Sequence, residues 1–260
     1  MKLLIVALLA ASSAMDWYRQ ANTLFAEGKY SEAGAAVENA LRLDPKLVPA
    51  LTLKAKFAMG FNRFDTAREC LLQAADLAPE SAYVQFLLGF FYYVDNDFTK
   101  ALGPLGKALE LEPGNPRAMF YLAMTKEGLG QGREAIPLYE ETLRLEGAQG
   151  QPQVDTLVAY ARLMYVLGEY ARSEELAEAA LKLDINSRDV QYELGRLFYE
   201  KRDYPAAISH GEKALALPGV GTTDRQIHFL LARAYRKAGN TEKGEEHLQK
   251  FQASGVSLRR

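Results

Sequence analysis

Prolines recur at an interval of 34 residues in the first half of the chain, at Pro45, Pro79 and Pro113. Each of them closes a similar stretch of small and apolar residues. A fixed interval of this length is typical of solenoids, in which one structural unit is repeated along the chain. The repeat therefore constrains the fold more strongly than any other feature of these 260 residues.

Small residues occupy the same place in every copy. The first column is Ala21, Ala55, Gly89, Ala123, Ala161, Gly195 and Ala232; the second is Ala33, Ala67, Ala101, Ala135, Ser173, Ala207 and Gly244; a third begins with Ala40, Ala74 and Ala108. Steps in the first column are 34, 34, 34, 38, 34 and 37 residues, which predicts two insertions. We place the repeats at 14–47, 48–81, 82–115, 116–149, 154–187, 188–221 and 225–258, with insertions at 150–153 and 222–224.

Apolar residues between the columns lie three and four positions apart, as in Trp17, Ala21 and Leu24. This spacing places them on one face of an α-helix. Turn residues separate the two halves of each copy, so each copy is predicted to be a helix pair whose apolar face is buried by its neighbours. Pro104 and Pro137 are predicted to lie inside second helices, where proline removes a backbone hydrogen bond.

The pattern W…A…GKY…A…A…P over residues 14–47 resembles a tetratricopeptide repeat, and the resemblance extends over about 15–258. It implies an all-α fold, a right-handed superhelical solenoid of antiparallel helix pairs. In proteins of this family the first helices line a concave groove that holds extended peptides. The resemblance therefore implies that binding residues stand at equivalent places on the first helices.

Those places carry many aromatic and arginine side chains, the residue types that dominate binding hot spots. The candidate groove residues are Tyr18, Asn22, Lys56, Phe86, Phe90, Tyr93, Phe120, Arg162, Tyr165, Tyr192, Arg196, Tyr199, Arg233 and Arg236. Repeats three and four supply an apolar anchor zone and repeats five to seven a basic zone, which suits a protein or peptide with hydrophobic and acidic residues. In the alternative interpretation, the rings pack between repeats and the arginines pair with Asp155, Asp189 or Glu200.

The sequence predicts a protein that is not an enzyme and has no catalytic residue, cofactor or metal. The 31 basic and 33 acidic side chains give a net charge of -2, which argues against a nucleic-acid partner. Cys70 is the only cysteine, and it excludes an intrachain disulfide. His210 and His247 are predicted to be solvated residues on second helices.

Three functions follow from these observations. The first is an interaction scaffold that holds a protein segment in its groove. The second is a carbohydrate-binding protein of the cell envelope, because tyrosine and phenylalanine rings also stack on sugars. The third is an assembly component that uses its convex face and its insertions.

The first fourteen residues, MKLLIVALLAASSA, resemble a secretory signal peptide. Lys2 precedes an apolar run from Leu3 to Ala11, and small residues then lead to a cleavage site after Ala14. Cleavage there predicts a periplasmic or secreted protein with no transmembrane segment. Translation from Met15 is the alternative, and it would give a cytoplasmic protein.

Overall fold

A computed structural model of the chain describes residues 13–219 and 221–256. The predicted signal peptide lies outside the described residues except for Ser13 and Ala14. Ser13 caps the first helix, since its hydroxyl accepts a hydrogen bond from the Asp16 backbone N–H at 3.1 Å. The Asp16 carboxylate accepts one in return from the Ser13 backbone N–H at 3.0 Å. Together these bonds form a capping box.

The described residues form fourteen α-helices and contain no strand, which confirms the predicted all-α fold. The helices are α1 (Ala14–Ala26), α2 (Tyr30–Leu43), α3 (Val48–Gly60), α4 (Phe64–Leu77), α5 (Ala82–Val94), α6 (Phe98–Leu111), α7 (Pro116–Gly128), α8 (Gly132–Ala148), α9 (Val154–Val166), α10 (Tyr170–Leu183), α11 (Arg188–Glu200), α12 (Tyr204–Ala216), α13 (Asp224–Lys237) and α14 (Thr241–Val256). We number the repeats one to seven in chain order, from α1–α2 to α13–α14. The helices belong to two compact units, residues 1–131 and 132–260.

The small-residue columns lie where helices pack most closely. Ala21, Ala33 and Ala67 have no exposed surface. Among the glycines of these columns, Gly89 comes nearest to the backbone of its partner helix, because a Cβ atom there would lie 2.5 Å from Cγ and 3.0 Å from the backbone nitrogen of Leu105. The columns therefore set how near the two helices of a repeat can come.

The aromatic residue that opens a second helix packs on a ring near the end of the preceding first helix. The pairs, with their centroid distances, are Phe25 and Tyr30 (5.6 Å), Tyr93 and Phe98 (5.8 Å), Tyr165 and Tyr170 (5.6 Å), and Tyr199 and Tyr204 (5.7 Å). Such edge-on and tilted ring pairs are favourable beyond the area that they bury. Three candidate groove residues are therefore oriented by their own repeats.

In the first unit, each second helix ends just before a proline. The helices α2, α4 and α6 each end two residues before Pro45, Pro79 or Pro113. In repeat four Gly147 stands in place of the proline, and α8 continues to Ala148. As predicted, α6 and α8 also run through internal prolines, Pro104 and Pro137.

The connection between α8 and α9 is tied down by a buried carboxylate. Glu146, only 8% exposed, accepts hydrogen bonds from the Gln153 backbone N–H at 2.9 Å and from the Thr156 hydroxyl at 2.8 Å. Thr156 is itself buried. The carboxylate therefore fixes the start of α9 from the end of α8.

Replacing Glu146 with alanine is expected to lower the free energy of unfolding by about 2 kcal/mol, because the buried Thr156 hydroxyl would lose its acceptor. Glu146→Gln keeps one acceptor oxygen and should cost less. Urea unfolding followed by circular dichroism measures both variants. Equal stability of Glu146→Ala and the unchanged chain would show that the connection does not depend on this carboxylate.

Two side chains at the start of α11 hold the connection between α12 and α13 in place. The Asp189 carboxylate accepts hydrogen bonds from the backbone N–H of Thr222 at 2.6 Å and from its hydroxyl. Arg188 donates to the Leu217 carbonyl at 3.0 Å and pairs with Asp224. Both side chains are thus occupied by the loop, and Asp189 is not the arginine partner considered above.

Candidate functional site

The candidate residues lie on the helices α1, α3, α5 and α7 of the first unit and α9, α11 and α13 of the second. In each unit, we call the side of the first helices that carries these residues the first-helix surface. Its part on α5 and α7 is the aromatic zone, formed by Tyr83, Phe90, Tyr93, Phe120 and Tyr121. Its part on α9, α11 and α13 is the basic zone, formed by Arg162, Tyr165, Tyr192, Arg196, Tyr199 and Arg233.

Tyr121 is the centre of the aromatic zone. Its ring centroid lies 4.7 Å from that of Phe90, 5.3 Å from that of Tyr93 and 5.2 Å from that of Phe120. Tyr121 is not among the predicted groove residues, because the equivalent residues of other repeats include Leu53, which is typical of a core position. The three candidate rings thus form one continuous cluster around a residue that sequence reasoning missed.

Phe86 belongs to the core, and its assignment to the groove is corrected. Its side chain is 4% exposed and packs in the apolar cluster of α3 to α7. The guanidinium of Arg117 covers it, 5.2 Å from the ring centroid. Phe86 therefore supports the surface from below, through ring contacts with Phe90 and Tyr121.

Tyr83 lies two helical turns before Phe90 in the aromatic zone, and Arg117 lies beside the zone at the start of α7. Tyr83 is 50% exposed, and Arg117 is also exposed. Burial of half its side chain and the nearby Tyr18 raise the pKa of Tyr83, while Arg117 lowers it. Tyr83 stands seven positions before the candidate residue Phe90, and Arg117 occupies the equivalent place in the next repeat, so helical spacing could have identified both.

A repeating contact links neighbouring first helices in both units. In the second unit the Arg196 guanidinium lies 3.9 Å from the Tyr165 centroid, and that of Arg233 lies 4.3 Å from the Tyr199 centroid. In the first unit Lys56 lies 5.1 Å above the Phe25 ring. Each cation rests on a ring of the preceding repeat, a favourable cation–π arrangement.

Arg196 is also paired with an acid. It donates to the Glu193 carboxylate at 2.7 Å, and only 8% of the Glu193 side chain is exposed. Burial raises the pKa of Glu193, although Arg196 and Arg162 oppose this shift. Arg196 is therefore a structural cation in large part.

The Tyr165 hydroxyl donates to Glu200 at 3.0 Å. Burial and this hydrogen bond raise the pKa of Tyr165 to about 12. Glu200 is thereby used by a tyrosine and not by one of the arginines. The contacts of Tyr165 and Arg196 agree with the packing interpretation at these two residues.

The other three candidate arginines of the second unit differ in exposure. Arg233 and Arg236 are exposed, and Arg162 is half-buried. The Arg236 stem packs on α14, where a Cβ atom at Gly244 would lie 2.5 Å from its Cγ. Arg233 and Arg162 therefore contribute most of the positive charge that the basic zone offers to a partner.

His247 is buried and His210 is half-buried, so the prediction that both are solvated was wrong. His247 is 9% exposed, and its Nδ1 lies 3.0 Å from that of His228. His210 Nδ1 lies 2.8 Å from the Gln191 Oε1. Each of the two residues follows a buried small residue, Ala207 or Gly244, by three positions, which turns it toward the first helix of its repeat.

Stability of the second unit is expected to fall between pH 7 and pH 5. Burial lowers the pKa of His210, His228 and His247, so the unfolded chain binds protons more readily than the folded one. The stabilisation is complete above the unfolded pKa, near 6.5, and is lost as the pH falls toward the folded value.

Thermal unfolding at pH 7, 6 and 5 tests this, with His247→Gln as the comparison. The variant should show a smaller drop in melting temperature over this range. An equal drop in both proteins would assign the pH dependence to other groups.

Two further findings limit the chemistry of the described residues. Within 13–219 and 221–256, no three or more His, Cys, Asp or Glu side chains are grouped so that they could hold a metal ion. In the same ranges, no helix is both long enough and apolar enough to cross a bilayer.

Tandem helix pairs with small residues at the contacts define a helical-repeat scaffold. Tetratricopeptide repeat models match residues 24–89, 158–220 and 227–254. The chain is a member of the tetratricopeptide repeat family, a class of protein-interaction scaffolds, and the predicted family and solenoid fold are confirmed.

Similar proteins include intraflagellar transport protein 70B of Rattus norvegicus, 27% identical over 232 residues, which are 84% of this chain and 33% of the relative. The outer membrane protein assembly factor BamD of Caulobacter vibrioides is 24% identical over 166 residues, 62% of this chain and 50% of that protein. The chain thus spans a third to a half of these relatives. Among solved structures, the APC/C hetero-tetramer Cut9–Hcn1 superimposes with a TM-score of 0.75 at 20% sequence identity. The match covers 87% of this chain and 44% of the chain in that structure, and at this identity it shows a similar fold alone.

Proposed function

We propose that the first-helix surface of each unit binds an extended segment of a partner protein, with hydrophobic residues on the aromatic zone of the first unit and acidic residues at the basic zone of the second. The observation that carries the proposal is that several large side chains stay exposed although neighbouring rings and cations pack on one another. Tyr83 and Phe229 are 50% and 43% exposed, and Arg233 is exposed beside Phe229. Rings and guanidinium groups in such positions favour partner binding over solvation.

The internal contacts support the proposal, because they hold the surface in one arrangement before a partner arrives. Rings that already pack on Tyr121, and cations that already rest on Tyr165 or Tyr199, lose little freedom on binding. Side chains that are ordered in advance reduce the entropic cost of association. Binding without catalysis is the function that such a rigid surface serves.

Charge favours an acidic partner in each unit separately. Arg117 lies beside the aromatic zone, and Arg162 and Arg233 belong to the basic zone. Within the described residues none of the three forms an ion pair within 4 Å. A peptide carboxylate would therefore find a donor at either zone without displacing an existing acid.

Selection from a displayed library of random peptides tests this function. The chain should enrich peptides that combine aromatic or aliphatic residues with Asp or Glu. Tyr83→Ala should remove the preference for hydrophobic residues, and Arg233→Ala should weaken the preference for acidic ones.

Leu72→Ala and Lys213→Ala are matched controls, since both residues are exposed on second helices. They should leave the selected sequences unchanged. Enrichment that is identical in all four variants would overturn the proposal and direct attention to the second helices.

We also propose export, on the basis of the N-terminal pattern. Removal of the first fourteen residues would take away Ser13, which caps α1. Mass spectrometry of the protein from cell-envelope fractions should find Met15 as its first residue. A chain that retains Met1 would contradict cleavage.

A further inference from the structure

A cleft of about 410 Å³ lies in the first unit, away from the candidate residues described above. Its walls come from the second helices α2 and α4, and its floor comes from α3. Phe57 and Ala58 form part of the floor, Gly34 lies in one wall, and the exposed rings of Tyr30 and Phe61 stand at the rim. Its volume is within the range of pockets that hold small ligands or single side chains.

The cleft exists because repeat one has a glycine where every other repeat has a longer side chain. A Cβ atom at Gly34 would have no neighbour within 4 Å. The equivalent residues are Arg68, Leu102, Ile136, Glu174, Ile208 and Glu245. In repeat two the Arg68 guanidinium fills the space and lies 5.8 Å from the Phe91 centroid, the ring equivalent to Phe57.

The same space in repeat two is built for a cation. Arg68 pairs with Asp65 at 3.1 Å and with Asp95 at 3.2 Å. Asp97 stands near them at the start of α6. Three acids thus surround the place that the chain's own arginine occupies.

In the cleft all three acids are replaced. Ser31, Phe61 and Arg63 stand where repeats two and three have Asp65, Asp95 and Asp97. The charge of the site is thereby reversed from acidic to basic. An arginine would be repelled here, whereas an aromatic ring and an anion would be favoured.

One cation of the cleft is available to a ligand. Lys54 is paired with Glu38 at 2.8 Å, so these two charges offset each other. Arg63 lies 5.5 Å from the Phe61 centroid and makes no ion pair in the described part of the chain. A carboxylate beside Phe61 would therefore meet an unneutralised guanidinium.

We propose that this cleft binds a peptide segment of a partner protein in which an aromatic side chain is flanked by carboxylates. The ring enters between Tyr30 and Phe61 and packs on Phe57, in the space that Arg68 fills one repeat later. A flanking carboxylate pairs with Arg63. The site uses other residues than the first-helix surface and does not depend on the function proposed for that surface.

The test uses the full chain with ¹³C-methyl-labelled alanine, because Ala35 and Ala58 line the cleft and report on it directly. The probe is the peptide acetyl-Asp-Glu-Phe-Asp-Glu-amide, and its charge-reversed form is acetyl-Lys-Lys-Phe-Lys-Lys-amide. Saturable shifts of the Ala35 and Ala58 methyl signals are expected with the acidic peptide. The basic peptide should bind at least about tenfold more weakly, because it offers Arg63 no carboxylate and brings four positive charges to a basic site.

Gly34→Leu fills the cleft with the residue that repeat three carries at Leu102, and it should abolish the shifts. Gly34→Ala is the matched control, since one methyl group leaves the space open and the shifts should remain. Arg63→Glu should weaken binding by at least about tenfold without filling the cleft.

Alanine signals elsewhere in the spectrum show whether each variant is folded. The proposal is overturned if the acidic peptide leaves Ala35 and Ala58 unshifted, if Gly34→Leu binds as the unchanged chain does, or if both peptides bind alike. Tyr83→Ala and Arg233→Ala should keep the cleft shifts, so failure of this proposal is distinguishable from failure of the first-helix surface.

Discussion

Replacing Arg196 with methionine is expected to destabilise the second unit by about 3 kcal/mol at pH 7, because the buried Glu193 carboxylate would lose its hydrogen-bonded partner. The pair is shielded from solvent, with side chains 20% and 8% exposed. Methionine keeps an unbranched stem but removes the guanidinium, which lies 3.9 Å from the Tyr165 centroid and 5.7 Å from the Tyr192 centroid. The loss therefore reports on the charge and not on packing alone.

The pH dependence of this variant has a defined sign. Burial already raises the pKa of Glu193, and loss of Arg196 raises it further. For a group whose folded pKa is raised, stability is complete below the unfolded pKa and is lost as pH rises through the folded value. The Arg196→Met defect should thus be smaller at pH 5 than at pH 7, opposite in sign to the histidine effect.

A double-mutant cycle with Glu193→Gln isolates the pair. Urea unfolding should show that Glu193→Gln restores much of the stability lost in Arg196→Met, since no buried charge then remains. Additive losses in the double variant would mean that the two residues do not depend on each other.

Gly89→Ala is expected to destabilise the first unit by about 3 kcal/mol, because the new methyl group overlaps the backbone of α6. Its Cβ would lie 2.5 Å from the Leu105 Cγ, 2.9 Å from Cδ2 and 3.0 Å from the backbone nitrogen. A side chain can rotate away, but the backbone nitrogen can move only with the whole helix.

Two other glycines provide the comparison. At Gly34 a Cβ atom would have no neighbour within 4 Å. Gly34→Ala should therefore stabilise the chain by about 1 kcal/mol, the usual difference in helix propensity between glycine and alanine. Gly195→Ala meets only the Leu230 Cδ2 below 3.0 Å, so its loss should be small. Urea unfolding that ranks the three variants in any other order would contradict the close approach at Gly89.

The fold was predictable because its determinants are periodic. Residues such as Ala21 and Ala33 recur at fixed places, and their burial is dictated by helix geometry that a sequence displays directly. The missing prolines were less informative, because α8 extends through Gly147 whereas α10 ends two residues before Ile185, which also stands in place of a proline. Local spacing was sufficient for the helix pairs, whose small-residue contacts recur in every repeat.

The site was less predictable because its residues interact across repeats. Phe86 and Phe90 stand on one helix with similar spacing, yet Phe86 is covered by Arg117 from the next repeat. Tyr121 reads as core in its own helix and becomes the centre of the aromatic zone only through rings of α5. The error at His247 has a simpler cause. This residue follows the buried Gly244 by three positions, so its place on the inner face of α14 could have been predicted from the sequence.

The cleft at Gly34 had a signal in the sequence, although its meaning depends on the structure. Comparison of the repeats shows one glycine among longer side chains. Only the packing of Arg68 in repeat two shows that this position fills a space between second helices. A glycine in one repeat indicates a cleft when the equivalent side chain of a neighbouring repeat shows which space is left empty.

Photo-crosslinking tests the central claim, that the first-helix surface is where a partner binds, most directly. Benzoylphenylalanine would replace Tyr83 on the aromatic zone in one protein and Leu72 on a second helix in another, two sites of similar exposure at 50% and 47%. In extract of the source cells, the account predicts a crosslinked partner at position 83 that an excess of a selected acidic and aromatic peptide displaces, and none at position 72. A partner that crosslinks at position 72 alone, or one that the peptide fails to displace from position 83, would contradict the account.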